Sequence, residues 1–175
     1  MWESKKVNDA IFFATKKHEG QLMKQPEGMP YSAHFFGVAM NAIKLAAQSQ
    51  EPIDWDLLIC SAILHDTIED TGATKEEIES LFGKDIANGV SALTKNKSLP
   101  KEIQMKDSLE RIKKQPFEIA IVKVADRMFN IRDRVESWSS EKQEQYKEEA
   151  RLICEELGEL FLPAKEALEE QIEKY

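Results

Sequence analysis

The chain has 175 residues, of which 42% are hydrophobic and 32% charged, with a formal net charge of −8 and a pI near 5.1. That length and composition suit a single folded domain over 1–175 with its own core, and they exclude a disordered chain. The acidic balance argues against a nucleic-acid or anionic-membrane surface. It leaves room for a small anionic substrate, because local lysines and a metal can reverse the potential inside a pocket.

Nearly every segment reads as helix, so an all-α fold is expected. From about 4 to 19, Val7, Ala10, Ile11 and Ala14 recur at three- and four-residue steps, and His18 closes that stripe with a structural role as its default. Gly20 to Tyr31 breaks the pattern, with Pro26-Glu27-Gly28 as a turn. A second helix, from about 31 to 50, buries Phe35, Val38, Ala39, Ala42 and Ile43 and carries His34 in its first turn. Asp54 is an N-cap for a third helix, expected to run unbroken into Leu64-His65-Asp66-Thr67-Ile68-Glu69-Asp70-Thr71 and to end at Gly72. Thr74-Lys75-Glu76-Glu77 opens a short helix as a capping box, Gly83 closes it, and another helix covers about 85–93.

Thr94 to Lys101 is a basic loop in an acidic protein, either a solvated loop or an anion-binding rim. A helix from about 101 to 114 stops before Pro116. The run Ile119–Ala125 is apolar except for Lys123 and rich in β-branched residues, which would suit a buried strand. No second strand signal pairs with it, so it is read as a central helix delivering Asp126 to the interior, where a metal or Arg127 must partner the carboxylate. Ser140-Glu141-Lys142-Gln143 caps a helix to about 157, and Pro163 starts a final acidic helix. Only two cysteines occur, Cys60 and Cys154, without Cys-x-x-Cys spacing, and both are expected to pack as small hydrophobes in a reducing compartment. No apolar run is long enough to span a bilayer and the first residues lack a signal-peptide core, so a cytoplasmic location is expected.

The chemistry concentrates in His65-Asp66-x-x-Glu69-Asp70. On a helix, His65 would stack over Glu69 and Asp66 over Asp70, crowding three carboxylates whose repulsion a cation would relieve. The chain has three histidines. Two of them with Asp66 and Asp126 would make a mixed nitrogen and oxygen set suited to Mn²⁺, Fe²⁺, Zn²⁺ or Mg²⁺.

Further motifs are Lys17-His18, Lys24-x-Pro26-Glu27-Gly28-x-Pro30-Tyr31-x-x-His34, Phe82-Gly83, Thr94-Lys95-x-Lys97-x-Leu99-Pro100-Lys101 and Lys123-Val124-Ala125-Asp126-Arg127-x-x-Asn130-x-Arg132. Together with the central motif they resemble the HD-domain metal-dependent phosphohydrolases. Within that superfamily the likeness is to the Rel/SpoT hydrolase type, and nearest to the stand-alone small alarmone hydrolases (the metazoan SpoT-homologue type). It extends over roughly residues 5–135. The Glu69-Asp70 pair separates alarmone hydrolases from most other members.

The resemblance implies an HD-type helical bundle with a short hairpin in the 20–30 loop, and hydrolysis of the 3′-pyrophosphate of ppGpp or pppGpp. It implies His34, His65, Asp66 and Asp126 as ligands of a divalent metal, preferably Mn²⁺, with Glu69 and Asp70 orienting and activating water. Lys24, Lys97 and Lys101 would hold phosphates, Lys95 more weakly, and Asn130 would lie near the nucleotide. Leu22-Met23-Lys24 departs from the family, which carries at this loop an Arg that stacks on guanine. Phe35 stands where a Pro is usual, and Phe129 where His or Tyr is usual. The departure in the loop keeps two alternatives open, removal of the 2′-phosphate of NADPH and a nucleotide-binding module that does not cleave. A separate synthetase or regulatory domain does not fit in 175 residues, so control by partner domains is not expected. The expected partner is a small anionic nucleotide, with no nucleic acid and no membrane; nothing in the sequence sets the oligomeric state.

Overall fold

The computed structural model of the protein describes residues 1–24, 26–133, 135 and 138–175. Its described residues form ten helices and no named strand. In chain order they are α1 (Ser4–Lys17), α2 (Ser32–Ala46), α3 (Trp55–Leu64), α4 (Thr67–Thr71), α5 (Lys75–Phe82), α6 (Lys84–Leu93), α7 (Lys101–Ile112), α8 (Phe117–Asn130), α9 (Ser140–Leu157) and α10 (Leu162–Lys174).

Local chemistry explains most boundaries. Asp54 Oδ1 accepts from the Leu57 N–H at 3.0 Å and starts α3, while Thr74 Oγ1 accepts from Glu77 N–H at 3.1 Å and starts α5. Gly72 ends α4 at φ +74°, a left-handed conformation that glycine adopts without steric cost. The α9 cap is Ser139, which accepts from Lys142 N–H at 3.3 Å, one residue before the expected Ser140. Serines at both positions offer the same hydroxyl, and backbone geometry selects the first. In the 20–31 loop, Met23 N–H donates to Met29 O at 2.7 Å and Tyr31 N–H to Gln21 O at 3.0 Å, around an isolated antiparallel bridge from Leu22 to Pro30. The expected hairpin is therefore a single bridge; Gln25 lies outside the described residues.

The segment with strand-like composition is helical over its whole length in α8, because it packs helix against helix with α2 and α3 and finds no sheet to join. Every residue from Leu57 to Leu64 is buried, so α3 has no solvent face. α1 covers α3, α6 bridges α3, α5 and α7, and α9 and α10 close over α8. One continuous apolar cluster joins them, centred on side chains such as Phe35, Leu58, Ile63, Ile119 and Ile121. Cys60 and Cys154 lie free in this interior, and burial pushes their thiols up to about 12 and about 11.

The α2–α8 contact is close because Gly37 has no side chain. A Cβ there would stand 2.1 Å from Phe129 Cε2, and Phe129 in turn sets its ring edge-on to His34 with centroids 4.9 Å apart. Gly37→Ala is therefore expected to displace the Phe129 ring and to destabilise the fold by about 1–3 kcal/mol, read as a lower denaturant midpoint at unchanged m-value.

Candidate metal centre and active-site cavity

The expected single helix through the central motif is broken. α3 ends at Leu64, His65 and Asp66 form a turn in which Asp66 sits at the edge of the right-handed helical region (φ −99°, ψ −3°), and α4 begins at Thr67. The cause is local competition for carbonyls: Thr67 Oγ1 donates to Leu64 O at 2.7 Å and the His65 ring takes Ala62 O at 2.8 Å. Asp70 N–H still donates to Asp66 O at 2.9 Å, so Glu69 and Asp70 stay one turn beyond the His-Asp pair. The break re-aims Asp66 toward α2 and α8.

Four side chains from three regions converge there. His34 Nε2 lies 3.1 Å from His65 Nε2 and 3.3 Å from Asp66 Oδ2; His65 Nε2 lies 2.9 Å from Asp66 Oδ2. Asp126 Oδ1 is 3.5 Å from His34 Nε2 and 3.8 Å from His65 Nε2. Neighbouring donors around one ion at about 2.1 Å stand about 3 Å apart, so these spacings fit a shared divalent metal. The outer contacts agree. His65 Nδ1 faces Ala62 O, which leaves Nε2 as the inward donor atom, and Asn130 Nδ2 donates to Asp126 Oδ1 at 2.7 Å. Tyr31 Oη donates to Asp66 Oδ2. Among the described residues, His34, His65 and Asp66 form the one group whose ligand atoms all lie within 4.8 Å of one another; Asp126 lies outside that group, facing it with Oδ1 at 3.5 and 3.8 Å from the two imidazoles.

Charge follows the same geometry. Burial opposes the imidazolium of His65, but the carboxylates of Asp66 and Asp126 outweigh it and raise His65 to about 9. Burial would raise Asp66, yet the adjoining imidazoles bring it well below the carboxylate range; for Asp126 the Lys123 ammonium is the main force in the same direction. Asp70 moves the other way. Its partial burial and the nearby Asp66 charge raise it, against Lys97 at 4.0 Å. Below pH about 9 a metal must displace the His65 proton, so ion binding at neutral pH is expected to release about one proton and to tighten about tenfold per pH unit until it levels off. Calorimetry in buffers of different ionisation enthalpy measures that proton directly.

The quartet opens into a cavity of about 640 Å³, within the range for small-molecule sites. Glu69, Asp70, Lys24, Lys95 and Asn130 line it with the quartet, and Met23 lines it as well. Lys97 and Lys101 are not in the wall. Lys97 bonds from outside to Glu69 O at 2.6 Å, and Lys101 is exposed at the start of α7.

The model of the HD domain matches residues 10–159. The chain belongs to the HD-domain family. It is similar to the zebrafish (Danio rerio) guanosine-3′,5′-bis(diphosphate) 3′-pyrophosphohydrolase MESH1, at 37% identity over 153 residues that cover 85% of this chain and 82% of that one. The human protein of the same name is 33% identical over 170 residues, covering 95% and 92%. A solved structure described as a metazoan ortholog of SpoT that hydrolyzes ppGpp superposes with a TM-score of 0.84 at 28% identity, covering 99% of this chain and 97% of that one.

Some residues of this HD-domain site carry no role from sequence. Tyr31 stands in the Pro30-Tyr31-x-x-His34 motif, three before His34 and so near its helix face. Trp138 and Tyr146, a tilted aromatic pair with centroids 4.5 Å apart, line the far wall from α9 and its approach. Arg127 is not the partner of Asp126: it bonds Glu149 at 2.7 Å and sits 5.1 Å over the Tyr146 ring, because successive helical residues point about 100° apart. His18, outside the wall, stacks on Tyr31 at 4.5 Å and bonds Gln21 at 2.7 Å, a structural role.

Proposed function

We propose that residues 1–175 act as one HD-type phosphohydrolase domain that removes the 3′-pyrophosphate of guanosine alarmones, converting ppGpp or pppGpp to GDP or GTP. The observation that carries this reading is the Glu69-Asp70 pair, one turn beyond a four-residue metal set and opening into the same cavity. The relatives named for ppGpp hydrolysis support the substrate.

His34, His65, Asp66 and Asp126 would hold a divalent ion, Mn²⁺ by preference. Bound there, such an ion supplies Lewis-acid chemistry, neutralising phosphoryl charge and acidifying water. Asp70 acts as the proton acceptor. It makes no hydrogen bond beyond its own helix among the described residues, and a raised pKa makes its carboxylate a stronger base. Glu69 positions, since its Oε2 is occupied by the Lys95 N–H at 2.8 Å. Water attacks the phosphorus bonded to the 3′-oxygen, a phosphorus–oxygen bond forms, and the bond to the 3′-oxygen breaks. The nucleotide leaves with a 3′-hydroxyl, and the former water oxygen goes with pyrophosphate. Lys24 and Asn130 contact the nucleotide within the cavity, while Lys97 and Lys101 contribute positive charge from its rim.

Met23 favours a second substrate. It is 7% exposed and apolar in the wall, so it packs against a base without the cation–π attraction an Arg would add. Removal of the NADPH 2′-phosphate uses the same residues. Incubating the Mn²⁺-loaded protein with ppGpp and with NADPH separately decides between them. Pyrophosphate and GDP from the first support the main reading; phosphate and NADH from the second alone favour the other; binding without turnover of either would leave a non-cleaving module.

A further inference from the structure

Lys123 is the single charge in the apolar core stretch of α8, and the site as described does not use it. Its neighbours Ile119, Ala120, Ile121, Val122, Val124 and Ala125 are each no more than 4% exposed, and Lys123 itself is 6% exposed. It nevertheless lines the cavity beside the metal set. Its Nζ lies 3.5 Å from Asp126 Oδ2 and makes no hydrogen bond among the described residues, although an ammonium has three N–H donors. The other deep cation, Arg127, pairs with Glu149 through Nη2 and lies over the Tyr146 ring, away from Asp126, with Nε and Nη1 making no hydrogen bond among the described residues. Lys24 is exposed, so it does not answer for the floor of the cavity.

Among the described residues Asp126 is the one ion-pair partner of Lys123, and the same carboxylate faces both imidazoles of the metal set, so the buried ammonium shares its counter-charge. Buried charges of that kind require a partner. The anion that this cavity would admit next to the ion is a phosphoryl group.

We propose that Lys123 is a catalytic residue that donates to a non-bridging oxygen of the phosphoryl group under attack and stabilises the charge developing there. The proposal rests on the phosphohydrolase reading above. A fixed, buried ammonium is effective in this role, because it needs no reorganisation as the charge grows.

The test compares Lys123→Met, which keeps length and bulk, with Lys123→Arg, which keeps charge. Turnover of ppGpp is followed at saturating Mn²⁺, the bound metal is counted, and ppGpp affinity is measured in an Asp70→Asn background that does not consume it. Lys123→Met is expected to lower kcat by about 10²–10³-fold with metal stoichiometry unchanged and KM altered much less, and Lys123→Arg to recover part of the rate. If Lys123→Met proves unstable, Lys123→Gln carries the same expectation. A kcat within threefold of the parent at saturating metal would overturn the proposal. So would full recovery of rate by excess Mn²⁺, which would reduce Lys123 to a positioning partner of Asp126. Failure of the parent protein to cleave ppGpp or NADPH would instead count against the phosphohydrolase reading. The Lys123 contact is then read from inorganic phosphate binding to the metal-loaded protein, with at least tenfold weakening in Lys123→Met upholding it and unchanged binding overturning it.

Discussion

Asp70→Asn is expected to lower ppGpp hydrolysis by about 10²–10⁴-fold, the usual contribution of a positioned general base. Asn keeps the size of the side chain and removes its proton affinity. Asp70 lines the cavity and is not among the four residues proposed to hold the metal, so metal stoichiometry and thermal midpoint should stay at parental values. Glu69→Gln should cost less. Its Oε2 is held by the Lys95 N–H, and the amide oxygen of Gln accepts the same bond. Parallel rate measurements with metal counts on the two variants separate proton transfer from positioning. An Asp70→Asn protein that keeps more than a tenth of the parental kcat would remove Asp70 from its role.

The second large effect is on the metal. His65 faces every other proposed ligand, at 3.1 Å from His34, 2.9 Å from Asp66 and 3.8 Å from Asp126, with its ring fixed by Ala62 O. Losing even an outer-shell partner of a metal ligand costs 10–100-fold in affinity, so His65→Ala is expected to exceed about 100-fold. The variant should also lose most of the proton release on metal binding, since that proton resides on His65 below pH about 9. Removing Asn130, which only steadies Asp126, should give the smaller loss. Equilibrium dialysis with Mn²⁺ checks the two affinities, and calorimetry in buffers of different ionisation enthalpy checks the proton.

How far the sequence discloses this molecule depends on the range of each interaction. Asp54, Thr74 and Gly72 sit where a cap or a left-handed residue belongs, because capping involves neighbours three or four residues away. The break at Asp66 is also local, but it turns on whether the Thr67 hydroxyl or a backbone N–H takes Leu64 O, and both outcomes fit the same residues. His34 is less accessible still. As a helix-start histidine it has no distinguishing neighbour, and only the α2–α3–α8 packing brings it to His65 and Asp126; the family likeness supplied what spacing could not. Trp138 and Tyr146 face the cavity because α9 folds back over α8, a placement no periodicity encodes. Lys123 is the reverse case. Its position in an apolar run is plain in the sequence, while its place in the cavity wall beside Asp126 depends on how α8 packs.

One divalent ion, held by His34, His65, Asp66 and Asp126, is proposed to make this chain a pyrophosphohydrolase. Titrating metal-stripped protein with Mn²⁺ while following pyrophosphate release from ppGpp tests it most directly. The rate should be negligible without metal, rise in proportion to bound ion, and reach its plateau at one ion per chain. Full activity in the stripped protein, or a plateau that Asp126→Asn reaches at the same metal concentration as the parent, would contradict the claim.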